Sequence, residues 1–219
     1  APYNAGVGPL SLAFGRVKLH SKGDARFFAN PESVERGPAW RIASAAKGKR
    51  NRQLPIRDVG MHTALSLRRI AGELGVELPT PERDTTKKQL QEIKTIQSKS
   101  LVDITEGMMV YSNNQIAETI GLATSSTLGV SPESLADSAL ALWQDLRTRL
   151  PQTNWNGFHI TNHSGLDSKA RATPAQLAAL LQYGLEHYQL PHLLPANAWS
   201  GSLSRRLVEE EHLQRVWAK

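Results

Sequence analysis

The chain has 219 residues, 40% of them hydrophobic, a formal net charge of +6 and no cysteine. That is enough apolar content for one large domain, or one and a half smaller ones, with a packed core. The missing cysteines exclude disulfides and cysteine-ligated zinc. No apolar run reaches the roughly 18–20 residues needed to cross a bilayer as a helix.

The opening Ala1-Pro2-Tyr3-Asn4 lacks the basic and apolar stretches of an export signal, so any such signal is expected outside this sequence. In chain order, Leu10, Leu12, Phe14, Val17 and Leu19 alternate well enough to predict a strand, with Gly15 as a bulge. Further short strands are predicted at 25–29 and 39–43. The positive charge concentrates between Arg16 and Arg52 and ends in Lys47-Gly48-Lys49-Arg50-Asn51-Arg52. Such a run fits a solvated loop, or an anionic polymer such as a cell-wall glycan peptide. A nucleic-acid partner is not favoured, because no aromatic residues interleave to stack bases.

Beyond Pro55 the pattern changes from strands to helices. Met61, Ala64, Leu65, Ile70, Ala71 and Leu74 follow helical spacing and stop at Gly75, a C-terminal cap. A strand is predicted at 93–98, and a helix over 101–109 that halts at a Ser112-Asn113-Asn114 turn, with the next helix starting at Gln115. Ser131-Pro132-Glu133 predicts a further helix start, with Leu135, Ala139, Leu142, Trp143 and Leu146 as its buried stripe. Thr173-Pro174-Ala175-Gln176 is a capping box ahead of Leu177, Leu180, Leu181 and Leu185. Strands at 158–160 and 214–218 complete an α+β pattern with an antiparallel sheet.

Five segments, in order, carry a family resemblance: residues 2–12; Met61 to Val76; Ser112-Asn113-Asn114-Gln115-Ile116-Ala117-Glu118; Asn162-His163-Ser164-Gly165-Leu166-Asp167; and Leu194-Pro195-Ala196 with Gly201-Ser202-Leu203 before Arg215-Val216-Trp217-Ala218-Lys219. Together the chain resembles D-alanyl-D-alanine carboxypeptidases/endopeptidases of the penicillin-binding protein 4 type, serine enzymes with a large inserted domain. The signature there is Ser-x-x-Lys, Ser-x-Asn and Lys-Thr-Gly. The resemblance implies a serine β-lactamase/transpeptidase-like domain, an antiparallel sheet flanked by helices, plus part of a β-rich inserted domain. It places the inserted-domain part at 1–56 and part of the transpeptidase domain at 57–219. The chain is accordingly expected to be a fragment that ends at the lysine of Lys-Thr-Gly, with its Ser-x-x-Lys before Ala1.

Covalent cleavage of a D-Ala-D-Ala amide needs an activated serine, a donor for the leaving amine and fixed dipoles for the oxyanion. By resemblance, Ser112 shuttles a proton toward the leaving group, Asn114 positions the first lysine and the substrate backbone, and Lys219 attracts the substrate's terminal carboxylate. Asn113 stands where the family usually has Asp, and Asn162-His163 where it usually has Asp-Gly. Taken alone, Ser112 and Asn114 suit helix-capping and turn duties, Lys219 suits a charged terminus, and Ser164-Gly165 is turn architecture. Ser44-Ala45-Ala46-Lys47 also matches Ser-x-x-Lys, but the basic run after it gives no apolar helix to bury. The seven histidines form no metal pattern, and no metal or cofactor is expected. The implied partners are peptidoglycan stem peptides ending in D-Ala-D-Ala, β-lactam antibiotics as inhibitors and the remainder of the same protein, and the implied location is the periplasm. Three other readings rank below this one: a small complete enzyme using Ser44 and Lys47, a catalytically silent cell-wall binding module of the same fold, and a basic nucleic-acid binder using Lys47 to Arg52.

Overall fold

The computed structural model describes residues 6–22, 25–28, 52–84, 91–212 and 215–218. The strand expected at 39–43, the Ser44/Lys47 pair and Lys219 lie outside the described residues. By packing, the chain divides into two compact units, Ala1–Thr95 and Ile96–Lys219.

The first unit holds a three-stranded antiparallel sheet, β1 (Arg16–Lys22), β2 (Ala25–Phe28) and β3 (Arg52–Pro55), in the order β2-β1-β3. Val17 faces Leu54 in the ladder and Leu19 faces Phe28. Among the described residues of this unit, Val17, Leu54, Ile56 and Val59 are buried apolar side chains. Gly15 is not the predicted bulge. It closes a 3-10 turn, Ala13–Gly15, with φ of 59°, and its carbonyl accepts from the Ile56 N–H at 2.7 Å, so the strand starts one residue later.

Helix α1 (Val59–Glu73) follows, capped by Asp58, whose carboxylate accepts from the Met61 N–H at 3.1 Å and also meets Arg83. It ends as the sequence predicts: Gly75 takes φ of 79°, and the Val76 N–H returns to the Ala71 carbonyl at 2.8 Å. Of the apolar residues that give the helical spacing, Met61, Ala64, Leu65 and Ala71 are half-buried and Ile70 and Leu74 exposed, Leu74 to 77%, while the fully buried positions beside Val59 are His62, Thr63 and Ser66.

The second unit is helical. Helix α2 (Leu101–Tyr111) starts at Ser100, whose hydroxyl accepts from the Asp103 N–H. Helix α3 (Asn114–Thr127) follows after two residues. Helix α4 (Leu135–Arg149) is capped by Ser134 rather than Ser131, because Ser134 and Asp137 hydrogen-bond reciprocally while Pro132 stays in the approach. Ala139 is fully buried in its stripe, and Trp143 stacks on Phe158 at 6.4 Å.

Helix α5 (Pro174–Tyr188) has the predicted capping box: the Gln176 N–H donates to Thr173 Oγ1, and the Thr173 N–H to Gln176 Oε1. The Gln176 amide, itself buried, donates to the Asn154 and Asn156 carbonyls and so ties the helix start to the preceding loop. Its predicted stripe differs: Leu177, Leu181 and Leu185 are exposed. Residues 91–98 form no strand, and Ile93 is 98% exposed, an apolar segment with no ladder beside it. The predicted strands at 158–160 and 214–218 are reduced to single antiparallel bridges, His159 with Arg171 and Trp217 with Ala196. The architecture is α+β. Among the described residues, no helix is long and apolar enough to cross a membrane.

Candidate active site

Ser112 and Asn114 sit at one tight junction. Helix α2 ends when Ser112 turns into the left-handed region (φ 52°, ψ 52°), and the Asn113 N–H reaches back to the Met108 carbonyl at 3.0 Å. A non-glycine residue there carries a strain of about 1–2 kcal/mol, which the two flanking helices hold in place. Asn113 then returns to extended geometry and caps α3, its Oδ1 accepting from the Ile116 N–H at 3.1 Å. The cap is therefore made by Asn113 and not by either of its neighbours. Ser112 is left exposed at the reversal, and Asn114, half-buried, is the first residue of α3.

Lys219 lies outside the described residues, but the segment leading to it is fixed. The Ala218 N–H donates to the Pro195 carbonyl at 3.1 Å, and the Asn197 N–H to the Val216 carbonyl at 2.9 Å. The fully buried Asn197 side chain accepts from the Val216 N–H and donates to the Leu207 carbonyl. The loop after it presses on α2: a Cβ at Gly201 (φ 58°) would lie 2.9 Å from the Val110 carbonyl oxygen and 3.0 Å from Pro195 Cβ. A continuous set of contacts thus runs from Ala218 through Pro195 and Gly201 to Val110, two residues before Ser112.

Behind the junction is a buried polar network. Glu118, on α3 and 6% exposed, accepts from the His163 N–H at 2.9 Å, the Ser164 N–H at 3.2 Å and Ser164 Oγ at 2.6 Å. One turn along, the His163 ring lies against Gly121, where a Cβ would come within 2.0 Å of it. His163 Nε2 pairs with Ser138 Oγ of α4 at 2.9 Å, and Ser138 Oγ with Ser125 Oγ of α3 at 2.8 Å. Burial pushes the His163 pKa below the ordinary imidazole value, against a smaller opposing pull from Glu118. The turn closes through Asp167, which accepts from Thr161 Oγ1 and from the Lys169 N–H. These bonds, the Thr161 one foremost, hold its carboxyl below the usual range.

His163 is thus a satisfied, half-buried polar residue, as its place beside a turn suggests. The sequence reading did not single out Glu118 or Ser138. The signals for Glu118 were its place at the end of the family-resembling segment 112–118 and its position four residues after Asn114, on the same side of a helix. Among the described residues, no group of three or more His, Cys, Asp or Glu is placed to hold a metal ion.

A family model described as the D-Ala-D-Ala carboxypeptidase 3 (S13) family matches residues 53–219. Penicillin binding protein 4 from Haemophilus influenzae is similar in fold, with a TM-score of 0.63 at 22% identity over 77% of this chain and 38% of that one. The structure of the same protein complexed with a novel β-lactam gives a TM-score of 0.61 at 21% identity, over 77% of this chain and 40% of that one. The chain therefore spans about two-fifths of the length of these solved structures. No curated protein matches it in sequence. The family match bears out the resemblance carried by the sequence segments, and the solved structures bear out the α+β transpeptidase-like fold.

Proposed function

Since the chain belongs to the D-Ala-D-Ala carboxypeptidase 3 (S13) family, we propose that it forms part of a periplasmic serine D-Ala-D-Ala carboxypeptidase and endopeptidase acting on peptidoglycan stem peptides. The observation that carries this reading is that the family match spans the Ser112–Asn114 junction, where the structure assigns the capping duty to Asn113. Asn113 makes the cap of α3, so the Asn114 side chain is not needed for it, and Ser112, which serves as the left-handed end of α2, keeps its hydroxyl on an exposed residue.

In this reading a serine hydroxyl adds to the penultimate D-Ala carbonyl, its proton passing to a lysine amine, and the tetrahedral oxyanion forms against fixed donors. Collapse breaks the amide bond, and the leaving D-Ala amine takes a proton relayed through the Ser112 hydroxyl. Water then hydrolyses the ester and restores the serine. Asn114 holds the lysine and the substrate backbone in line. Lys219 supports the relay and draws in the terminal carboxylate as a fixed positive charge. The nucleophile and its lysine come from residues outside this 219-residue sequence, and Ser44 is not the nucleophile. β-Lactams inhibit by acylating the same serine.

The test is the intact mass of the natural full-length protein after exposure to benzylpenicillin. The expected result is a stoichiometric covalent adduct that survives Ser44→Ala and forms more slowly in Ser112→Ala, by about 10²–10⁴, the usual weight of a proton-transfer group. A protein that forms no adduct overturns the enzymatic reading and favours a silent cell-wall binding module. An adduct abolished by Ser44→Ala moves the nucleophile into this sequence.

A further inference from the structure

We propose that Glu118 is a positioning residue for the Ser112–Asn114 junction, acting through Asn114; the inference rests on the acyl-transfer reading given above. Asn114 is the first residue of α3 and Glu118 follows it by one turn, so the two lie on the same side of the helix. The Glu118 carboxylate is buried and gathers three donors, the His163 N–H, the Ser164 N–H and the Ser164 hydroxyl, from a turn far away in sequence. A carboxylate accepts at both oxygens and donates at neither, which matches three converging donors.

The clamp has a second point. The His163 ring fills the space above Gly121, one turn further along the same helix, and is held from its other side by Ser138. Two anchors one turn apart fix both the rotation and the axial position of the first half of α3. Its N-terminal turn, which carries Asn114, cannot slide or rotate without breaking buried hydrogen bonds. This matters to the chemistry because an acyl transfer tolerates little misplacement: an error of about 1 Å can cost on the order of 10² in rate.

Glu118→Gln nearly preserves shape but replaces one accepting oxygen by a donating NH2, which must face an N–H or force the turn to shift. The Glu118 carboxylate is taken up by its three donors from the 163–164 turn, so the influence proposed for it passes through helix placement.

The experiment uses the full-length protein and benzylpenicillin, with the acylation rate constant measured per acylatable site so that unfolded molecules do not enter. Glu118→Gln is expected to lower the limiting acylation rate ten- to a hundredfold. In an Asn114→Ala background the same change is expected to cost less than twofold, because the group it positions has gone. A Glu118→Gln protein that acylates at the wild-type rate overturns the proposal, as does an effect that persists in full in the Asn114→Ala background, which would mark a merely structural role. If Glu118→Gln fails to fold, Ser164→Ala, which deletes one of the three donors and keeps both backbone amides, is read against Asn114→Ala in the same way. Wild-type protein that is not acylated at all overturns the functional reading instead, so the two failures are distinct.

Discussion

Helix α1 of the first unit and the helix pair α3–α4 of the second all bury polar side chains, but the polar groups do different things. On α1, His62 and Ser66 are fully buried and Thr63 nearly so. Thr63 Oγ1 serves as a clip, donating to the Val59 carbonyl and accepting from the Leu12 N–H. Among the described residues, Ser66 Oγ is buried without a hydrogen-bond partner. On α3–α4, Glu118, Ser125 and Ser138 are buried to a similar degree but linked, through His163 and Ser164, into one network spanning two helices and a turn. Burial alone therefore says little about what a polar group contributes. An unmet buried group costs about 1–3 kcal/mol, whereas a connected network fixes the relative placement of the elements it joins.

The comparison is sharpest at Ser138, where the largest stability effect is expected. Ser138→Ala removes the partner of His163 Nε2 and one of the two partners of Ser125 Oγ, which keeps the Leu122 carbonyl, so unfolding free energy is expected to fall by roughly 2 kcal/mol in urea titrations. The His163 pKa is lowered in the folded state, so acid favours the unfolded chain, which binds the proton more readily. The network's contribution is complete above the ordinary imidazole value of about 6.5 and declines as pH falls from there toward the lowered folded value. That slope should shrink in His163→Gln. A Ser138→Ala protein as stable as wild type would show that the linkage adds nothing beyond burial.

A pair of helical glycines tests the same network by sterics, with an intermediate effect. Gly121 has the His163 ring within 2.0 Å of where a Cβ would sit, whereas Gly107 on α2 has nothing within 4 Å among the described residues. Gly121→Ala is expected to destabilise by about 1–2 kcal/mol net, overpacking outweighing the helix-propensity gain. Gly107→Ala, free of that clash, is expected to stabilise by about 0.5–1 kcal/mol. Thermal midpoints moving in opposite directions would confirm that His163 is wedged against α3. Movement in the same direction would remove the second anchor of the clamp.

What was legible beforehand follows the range of the interactions. The capping box at Thr173 and Gln176, the left-handed Gly75 and the turn at 112–114 rest on contacts within four or five residues, and their residue types announce them. The α4 start was misplaced by three residues because Ser131-Pro132 and Ser134-x-x-Asp137 are both good start signals, and only the second forms its hydrogen bonds. Apolar periodicity predicts that a helix has two faces but not which one finds a partner, hence the exposed Leu74 and Leu181. Glu118 was invisible as a clamp because its donors, His163 and Ser164, lie 45 and 46 residues away. At the candidate site, the segment containing Ser112 and Asn114 could be picked out by family resemblance, whereas the support behind it is a tertiary fact.

The smallest effect is expected at Ser66, and it is the most informative about the contrast between the two regions. With no partner among the described residues, the desolvation of the Ser66 hydroxyl is uncompensated, and Ser66→Ala removes that cost while losing only one small atom from a packed site. Alanine also has the higher helix propensity, by a few tenths of a kcal/mol. Unfolding free energy should therefore be unchanged or rise by about 0.5–1 kcal/mol, the opposite sign to the chemically identical change at Ser138. Were Ser66→Ala instead to cost as much as Ser138→Ala, the α1 hydroxyl would have to be met by a group that the described residues do not supply. The two regions would then bury polar groups on the same terms, and connectivity would no longer set the α3–α4 network apart.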